Sequence, residues 1–379
     1  MSVPEGADIL VVAGEESGDR LGAELMSSIA GRATVQRVWG LGGHRLAATG
    51  ADLLGDAART NVSGFLEVAR RYPYLRRTFE KVRARATLNR PDLAILVDYP
   101  GFNLPLARAL HALHVPVVYY VAPQTWAWKE GRVATLRDAV DDLIVVFPFE
   151  VDYFSRRGIN VQYFGNPHAE ASDIVRTSTV PGNKQGQLIA YLPGSRRSEV
   201  EHHLPLMVRI AQDIGPSYRH VIARASTIDP TSITRYTEGT PFQVVEDALS
   251  LLAEADVAVV KAGTSTLDAM LAGVPFVTVY RTSLVSYLIG RALIRVPYIA
   301  MPNLLAGRSV VNEYIQHAFV PNKVAQELRT LLTGSERRLT MIDEFARLRA
   351  ALHGKGAVEG AGRFIAQKYL TKFTQINPF

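Results

Sequence analysis

The sequence predicts an α/β protein with two tandem Rossmann-like domains, and three observations lead to this fold class. Short continuous apolar runs alternate with helical patterns along the chain, as in parallel sheets that helices cover on both faces. The alternation stops in the polar stretch 172–187, which contains one proline and two glycines, and then starts again. The 379 residues are also enough for about two domains.

The first domain is expected to cover residues 1–170. Helical patterns occur at 19–30 and 104–113. Because strands that alternate with helices form a parallel sheet, their carboxyl ends share one edge, and turns at that edge carry the ligand sites of such domains. The predicted strands are 8–13, 93–97, 116–121 and 143–147.

The second domain is expected to cover residues 186–354, and the last segment, 355–379, to form a helix that fold analogy places back on the first domain. Since ligands bind outside the carboxyl ends of such strands, we expect the active site in the cleft between the two domains. The predicted strands of the second domain are 187–192, 219–224, 256–260 and 275–280, and its predicted helices are 198–214, 264–272 and 321–333.

Composition narrows the functional classes. The absence of cysteine excludes disulfides and thiolate metal sites. Residues 1–8 lack the basic and apolar regions of a signal peptide. The apolar stretch 283–300 is interrupted by Arg291 and Arg295, so we expect no membrane-spanning helix. The net charge of +6 suits nucleic acid, an anionic membrane or phosphorylated small molecules.

Several familiar motifs do not occur. There is no P-loop, and in the stretch 40–45 (GLGGHR) Arg45 stands where a dinucleotide fingerprint has its third glycine. Neither G-x-S-x-G nor D-x-D is present. His202 and His203 are adjacent and point in different directions on a helix, which disfavours a metal role. We therefore predict no metal and no cofactor.

The stretch 192–200 (LPGSRRSEV) reads as a strand that turns into a helix. Gly194 and Ser195 would then lie at the helix N-terminus, where free amides and the helix dipole favour an anion. Arg196 adds a bidentate donor suited to phosphate. Alternatively, Glu199 caps the helix or pairs with Arg196.

The stretch 261–275 (KAGTSTLDAMLAGVP) follows another predicted strand. Gly263 allows the backbone to turn, and Thr264 or its neighbouring serine can cap the helix. Asp268 lies about one turn into that helix, where its carboxylate can accept hydrogen bonds from two ribose hydroxyls. The alternative is a first-turn aspartate that only complements the helix dipole.

Two turns of the first domain carry acids. Glu15, Ser17 and Asp19 lie in AGEESGD, 13–19, where an acceptor substrate could bind, although a capped helix start explains them as well. Asp98 stands at the end of an apolar strand, where a single carboxylate can take a proton from an attacking hydroxyl. Its alternative is a turn-forming role.

These stretches resemble the bacterial lipid-A-disaccharide synthase family over nearly the whole chain. The resemblance implies the two-domain GT-B fold. It also implies an inverting transfer of 2,3-diacylglucosamine from UDP to the 6-hydroxyl of 2,3-diacylglucosamine 1-phosphate, at the inner, cytoplasmic face of the membrane and without spanning it. The motifs are AGEESGD (13–19), VDYPGFN (97–103), PQTWAW (123–128), LPGSRRSEV (192–200), KAGTSTLDAML (261–271) and VPYIAMPNLLAGR (296–308).

The resemblance also implies roles for particular residues. Arg196 binds the UDP diphosphate without a metal, and Asp98 is the general base. The chain departs from the family at Asp268, where Glu is usual, and at Gly101, where many relatives carry a second Asp. The implied UDP-sugar site comprises Gly194, Ser195, Arg196, Gly263, Thr264, Asp268, Asn303 and Gln316. The implied acceptor site comprises Glu15, Ser17, Asp19, Asn103 and Trp126.

The segment 67–85 mixes arginines with aromatic side chains. Such a basic amphipathic segment can lie on an anionic bilayer, although a solvated helix face is the alternative. The other readings of the whole chain are another GT-B UDP-N-acetylglucosamine enzyme, either a transferase or an epimerase, and a non-catalytic UDP-sugar- or lipid-binding protein. A nucleic-acid partner is not expected, since only this one basic patch occurs. A homodimer is left open.

Overall fold

The chain forms two compact units, Met1–Pro167 with Gly354–Phe379, and His168–His353. The structure is a computed structural model, and for 65–71 it describes the backbone alone. The predicted linker 172–187 lies outside the described residues except for its last two. The described ranges are 6–56, 65–171, 186–294, 296–354 and 356–373.

The first unit contains a seven-stranded parallel sheet in the order β3-β2-β1-β4-β5-β6-β7. The order reverses between the central strands β1 and β4, whose residues are almost all buried. That reversal opens the crevice where doubly wound sheets bind ligands. The strands are β1 (Ala7–Ala13), β2 (Val35–Gly42), β3 (Asp52–Asp56), β4 (Leu93–Val97), β5 (Val117–Tyr120), β6 (Asp142–Val145) and β7 (Val161–Tyr163).

Helices connect these strands and pack against the sheet. The central helix of the reversal, α4, places Phe102, Leu106 and Leu110 in the core. The helices are α1 (Glu16–Ala30), α2 (His44–Ala48), α3 (Phe65–Leu88), α4 (Pro100–Ala112), α5 (Arg132–Ala139) and α6 (Pro148–Ser155).

The second unit repeats this plan with six parallel strands in the order β10-β9-β8-β11-β12-β13. Here the reversal lies between β8 and β11, both again buried. The strands are β8 (Leu188–Leu192), β9 (Arg219–Ala223), β10 (Phe242–Val245), β11 (Val257–Lys261), β12 (Phe276–Tyr280) and β13 (Glu313–Ile315).

The three predicted helices of the second unit are present, and five more were missed, namely Pro230–Thr237, Ala248–Glu254, Leu284–Leu293, Met301–Ala306 and Glu336–Leu352. No helix in the described part of the chain has the length and apolar character needed to cross a membrane. The helices are α7 (Arg197–Ile214), α8 (Pro230–Thr237), α9 (Ala248–Glu254), α10 (Ser265–Leu271), α11 (Leu284–Leu293), α12 (Met301–Ala306), α13 (Pro321–Leu332) and α14 (Glu336–Leu352), with a 3₁₀ turn at Gln316–Ala318.

The chain returns to the first unit in its last helix, α15 (Ala357–Tyr369), which packs against α1. Lys368 donates to the buried carboxylate of Asp142 at 2.5 Å, and the hydroxyl of Tyr369 donates to the same oxygen. The following 3₁₀ turn, Thr371–Phe373, accepts a backbone hydrogen bond from Thr34. The C-terminal segment is therefore tied to the start of β6 through α15 and to the residue before β2 through the 3₁₀ turn.

Every predicted strand is present, but β2, β3, β7, β10 and β13 were missed. The sequence of β2 (VQRVWGLG) contains two polar residues and two glycines, and β3 (DLLGD) is a short, partly exposed edge strand. β10 is an edge strand with three exposed residues, while β7 and β13 have three residues each. Such strands lack the continuous apolar run on which the prediction rested.

Candidate active site

Asp98 lies directly after β4, at the reversal of the first sheet, in a turn of unusual backbone geometry. Both Asp98 and Tyr99 have φ of +46°, in the left-handed region that costs a non-glycine residue of order 1–3 kcal/mol. Asn103 donates from Nδ2 to the carbonyl oxygens of Asp98 (2.8 Å) and Val97 (3.2 Å). The hydroxyl of Tyr119 donates to the same Asp98 carbonyl at 2.5 Å. Buried side chains therefore hold the strained turn in place.

The turn at Asp98 lies against the turn after β1. A Cβ on Gly14 would overlap the ring of Tyr99, so this position requires glycine. Glu15 is exposed next to it at the start of α1, and its negative charge acts on Asp98. The two acid-bearing turns predicted separately from the sequence are thus neighbours in the first unit.

The environment of Asp98 raises its pKa to about 6. Burial is the largest cause and the charge of Glu15 the next, whereas a backbone hydrogen bond from Tyr99 and the charge of Arg132 oppose them. A carboxylate with this pKa is largely ionised near neutral pH and more basic than an exposed aspartate. These are the properties that a general base needs.

Glu150, at the start of α6, is a second carboxylate near this turn that sequence reasoning missed. It is completely buried, which raises its pKa to about 7, and the charge of Asp98 contributes to that rise. Its Oε1 accepts a 3.0 Å bond from Trp126 Nε1, while Oε2 accepts from the backbone amides of Val146 and Phe147. Glu150 thus fixes the indole of Trp126. The sequence signal that could have revealed it is Pro148, since a proline at the first helical position marks a helix start and Glu150 lies in that first turn.

Cations also border this turn. Arg132, at the first position of α5, is half-buried and lowers the pKa of Asp98 through its charge. Its guanidinium lies 5.6 Å from the centroid of Trp128, and Lys129 Nζ lies 4.5 Å from the same ring. The resemblance implies a role for Trp126 in this stretch but none for Lys129 or Arg132.

Two residues predicted to bind the acceptor substrate already form hydrogen bonds within the protein. Asp19 is buried and accepts hydrogen bonds from the amides of Gly43 (2.6 Å), Arg45 (2.9 Å) and Leu46 (3.1 Å), so it fixes the start of α2. Asn103 is fully buried and positions the Asp98 turn. Ser17 and Glu15 are exposed. Their contact with an acceptor stays a prediction, as do the roles of Asn103 and Trp126.

In the second unit, the turn after β8 is closed by Glu199. Its Oε2 accepts hydrogen bonds from the amides of Ser195 (3.1 Å) and Arg196 (3.3 Å), so the capping alternative is present. Gly194 has φ of +120°, and a Cβ there would overlap Glu199. An anion at this turn would therefore meet the exposed guanidinium of Arg196 and the first amides of α7, rather than the amides that Glu199 uses.

Lys261, at the end of β11, completes this turn and was also missed. Its Nζ lies 2.8 Å from Glu199 Oε1 and 6.0 Å from the ring centroid of Tyr280. Glu199 consequently has a lowered pKa, although burial acts in the opposite direction. Lys261 neutralises the acid that occupies the turn, which makes the site less repulsive to a phosphate group.

His203 is buried one turn further along α7 and has a structural role. Its Nδ1 is 2.8 Å from the carbonyl of Pro193, and its Nε2 accepts a 2.8 Å bond from the amide of Arg281. These partners require a neutral ring with its proton on Nδ1, and burial lowers its pKa to about 4. His203 therefore links the turn after β8 to the end of β12. No group of three or more His, Asp or Glu side chains that could hold a metal occurs within the described ranges.

The turn after β11 meets the same reversal of the second sheet. Thr264 is exposed, and Asp268 is half-buried in the first turn of α10. The buried Asn303 donates from Nδ2 to the carbonyl of Val311 and to the carboxylate of Glu313, and its Oδ1 accepts from two backbone amides. Gln316 makes two hydrogen bonds with the backbone of Thr282, donating to its carbonyl and accepting from its amide. The roles of these residues in donor binding stay predictions, and the side chains of Asn303 and Gln316 are already engaged.

The two Rossmann-like units place the fold among the GT-B glycosyltransferases and related epimerases. The chain superposes on a UDP-GlcNAc 2-epimerase from Neisseria meningitidis bound to UDP-GlcNAc with a TM-score of 0.65, at 11% identity over 96% of this chain and 99% of that one. The kitacinnamycin glycotransferase gives a TM-score of 0.63, at 14% identity over 97% and 100%. At these identities the likeness shows the fold alone, and the predicted fold class is confirmed.

Sequence comparison identifies the family. The family model "Lipid-A-disaccharide synthetase" matches residues 9–365. The lipid-A-disaccharide synthase of Myxococcus xanthus is 39% identical over 95% of this chain and 97% of its own length. That of Koribacter versatilis is 35% identical over 96% and 98%. The chain belongs to the lipid-A-disaccharide synthase family and is a glycosyltransferase, which confirms the resemblance and decides against the epimerase and binding-protein alternatives.

Proposed function

We propose that the protein transfers 2,3-diacylglucosamine from UDP to the 6-hydroxyl of 2,3-diacylglucosamine 1-phosphate, with inversion at the anomeric carbon. The observation that carries the assignment of chemistry is the half-buried, strained turn at Asp98, whose environment raises the carboxyl pKa to about 6. Asp98 takes the proton of the acceptor hydroxyl, and the oxygen attacks the anomeric carbon. The bond to UDP breaks, and its electron pair leaves on the diphosphate. The products are the tetraacyl-disaccharide 1-phosphate and UDP.

The second unit binds the donor in this proposal. Negative charge develops on the leaving diphosphate, so cations at the turn after β8 act mostly in the transition state. Arg196, which is exposed there, and Lys261, which lies beside Glu199, support this assignment. Asp268 and Thr264, at the start of α10, hold the ribose. The reaction needs no metal, since these side chains provide the positive charge.

The first unit binds the acceptor in this proposal. Glu15 and Ser17, both exposed at the start of α1, border the sugar. Trp126, whose indole Glu150 fixes, contributes to the same acceptor site. The exposed Lys129 and the half-buried Arg132 suit the 1-phosphate.

We further propose peripheral association with the cytoplasmic face of the inner membrane. Part of α3 supports it, because Tyr72 is 58% exposed beside the exposed side chains of Arg76, Arg77 and Lys81. The rest of the predicted basic segment is engaged elsewhere. Arg83 pairs with Glu80, Arg85 pairs with Asp52, and Phe79 packs on Phe102. The side chains of Arg70 and Arg71 lie outside those that the structure describes.

The test is UDP release from UDP-diacylglucosamine in detergent micelles, with and without diacylglucosamine 1-phosphate. We expect release to require the acceptor and to fall by roughly 10²–10⁴-fold in Asp98→Asn, the range for loss of a general base. Asp138→Asn, an exposed acid of α5 that pairs with Arg137, is the matched control and should leave turnover unchanged. Release without acceptor would contradict the transferase assignment, and full activity of Asp98→Asn would contradict the base.

A further inference from the structure

Helix α11 exposes its apolar face to solvent. Six large apolar side chains on and just after it are between 44% and 68% exposed, and no residue of the helix is buried. They are Leu284, Val285, Leu288, Ile289, Leu293 and Ile294. No other element within the described ranges has a comparable number of exposed large apolar residues. Contiguous exposed apolar surface of this kind marks a site of interaction.

The spacing along α11 puts most of these side chains on one stripe. Leu284 and Leu288 are four residues apart, as are Val285, Ile289 and Leu293, so they lie on one side of the helix. Tyr287 and Gly290 are the less exposed positions. Thus Tyr287 and Gly290 face the protein while the large aliphatic side chains face outward, which is the reverse of an ordinary surface helix. Ser283 fixes the helix start, since its hydroxyl oxygen accepts a hydrogen bond from the amide of Ser286.

The charges around α11 favour a lipid surface over a protein partner. The stretch 281–300 contains three arginines, Arg281, Arg291 and Arg295, and no acidic residue. Anionic lipid headgroups attract such clusters, whereas a symmetric contact between two copies of the helix would bring like charges together. A helix of ten residues is too short to cross a bilayer, but it can lie in the interface with its apolar side among the acyl chains.

We propose that α11 is a membrane-docking helix of the second unit, which inserts its apolar stripe into the surface of an anionic bilayer. This surface is separate from the exposed part of α3 in the first unit. It extends the proposed function, because an enzyme with acylated substrates must reach them in a bilayer. The docking itself depends only on lipid and can be measured without turnover.

The first experiment measures co-sedimentation of the full chain with vesicles of phosphatidylglycerol in phosphatidylcholine. We expect the double variant Leu288→Ser, Ile289→Ser to bind at least about tenfold more weakly, since two apolar side chains leave the bilayer. The control is Leu249→Ser, Leu339→Ser, which removes two apolar side chains of similar exposure, 43% and 57%, from other helices. It should bind within about twofold of the unchanged protein. Unchanged binding of the α11 variant would overturn the proposal.

The second experiment reports insertion directly. The chain contains no cysteine, so Ile289→Cys gives a single site for an environment-sensitive fluorophore, and Leu339→Cys gives the control site. We expect anionic vesicles to shift the emission of the label at position 289 to shorter wavelength, with no shift at position 339. A missing shift at 289 would overturn the proposal even if the double variant proved unstable.

A further arm separates the lipid surface from a second copy of the chain. Analytical ultracentrifugation of the double variant should show the same oligomeric state as the unchanged protein. If the variant instead loses self-association while vesicle binding persists, α11 is an interface between copies and the proposal is wrong. UDP release in detergent micelles should remain unchanged in the variant. Failure of the unchanged protein in that assay would count against the proposed function and leave the vesicle result standing.

Discussion

The hydroxyl of Tyr119 donates a 2.5 Å hydrogen bond to the main-chain carbonyl of Asp98, so a fully buried side chain of β5 holds the turn that carries the candidate base. Burial and the charge of Asp98 hold the pKa of Tyr119 well above its usual value. The phenol therefore stays protonated and remains a donor throughout the working range of pH. The backbone strain at Asp98 and Tyr99 is offset locally, by this bond and by Asn103.

Tyr119→Phe tests whether that bond positions the base. We expect kcat to fall roughly tenfold because the carboxylate loses its fixed position, with KM nearly unchanged. The free energy of unfolding should fall by about 1–2 kcal/mol. The matched control is Tyr191→Phe, which removes a buried hydroxyl that bonds to His220 in the second unit. If kinetics of UDP release show the same loss of kcat in both variants, the effect reflects general destabilisation and not positioning.

The pH dependence of turnover tests the environment of Asp98. A general base with a pKa of about 6 gives a kcat/KM that rises with pH and has its midpoint near that value. Glu15→Gln should lower the midpoint, because the charge of Glu15 raises the pKa of Asp98. Arg132→Met should raise it, because the cation lowers that pKa. Profiles of UDP release that keep one midpoint in all three proteins would exclude Asp98 as the titrating group.

Glu150 makes the stability of the first unit depend on pH. Its pKa rises from 4.5 to about 7 on folding, so the folded chain binds more protons than the unfolded chain between these values. The contribution of Glu150 to the free energy of unfolding is therefore fully present below about pH 4.5. It decreases as the pH rises toward 7, by about 3 kcal/mol in all. Glu150→Gln should flatten this slope in thermal melts monitored from pH 4.5 to 7. An unchanged slope would show that other groups cause it.

The sequence was sufficient to predict the two sheets because their central strands are continuous apolar runs. It also placed both candidate turns at a reversal of strand order, since Asp98 follows β4 and Arg196 follows β8. It could not predict Glu150 or Lys261, because their roles depend on contacts between segments that are far apart in the sequence. Lys261 and Glu199 form an ion pair although they are 62 positions apart in the sequence. Trp126 reaches Glu150 only because α6 brings that carboxylate next to its indole.

Contacts between distant segments also occupy several side chains for which the sequence predicted ligand contacts. Asn303 lies in the motif VPYIAMPNLLAGR of the resemblance, but its buried amide bonds to Val311 and Glu313. Asp19 lies in an acid-rich turn, yet three amides of the chain saturate it. A motif identifies residues that matter, but only the fold shows whether a polar side chain faces a ligand or the protein itself.

The ion pair between Lys261 and Glu199 gives the last prediction. Glu199 occupies the amides of Ser195 and Arg196, and Lys261 neutralises its charge at 2.8 Å. Removing the cation in Lys261→Met leaves the Glu199 carboxylate with the more distant, exposed Arg196 at 3.5 Å. The carboxylate then competes with a diphosphate for Arg196 and repels it. We expect the Kd for UDP, measured by isothermal titration calorimetry, to rise about tenfold or more.

Two further variants decide whether charge is the cause. Glu199→Gln combined with Lys261→Met removes both charges and should recover part of the lost affinity, because an amide oxygen can still accept from the turn. Arg197→Met is the matched control, since Arg197 is exposed and pairs with Glu201. It should bind UDP within about twofold of the unchanged protein. If Lys261→Met binds UDP normally, or if the double variant recovers nothing, Lys261 acts only in folding and the diphosphate relies on Arg196 and the start of α7.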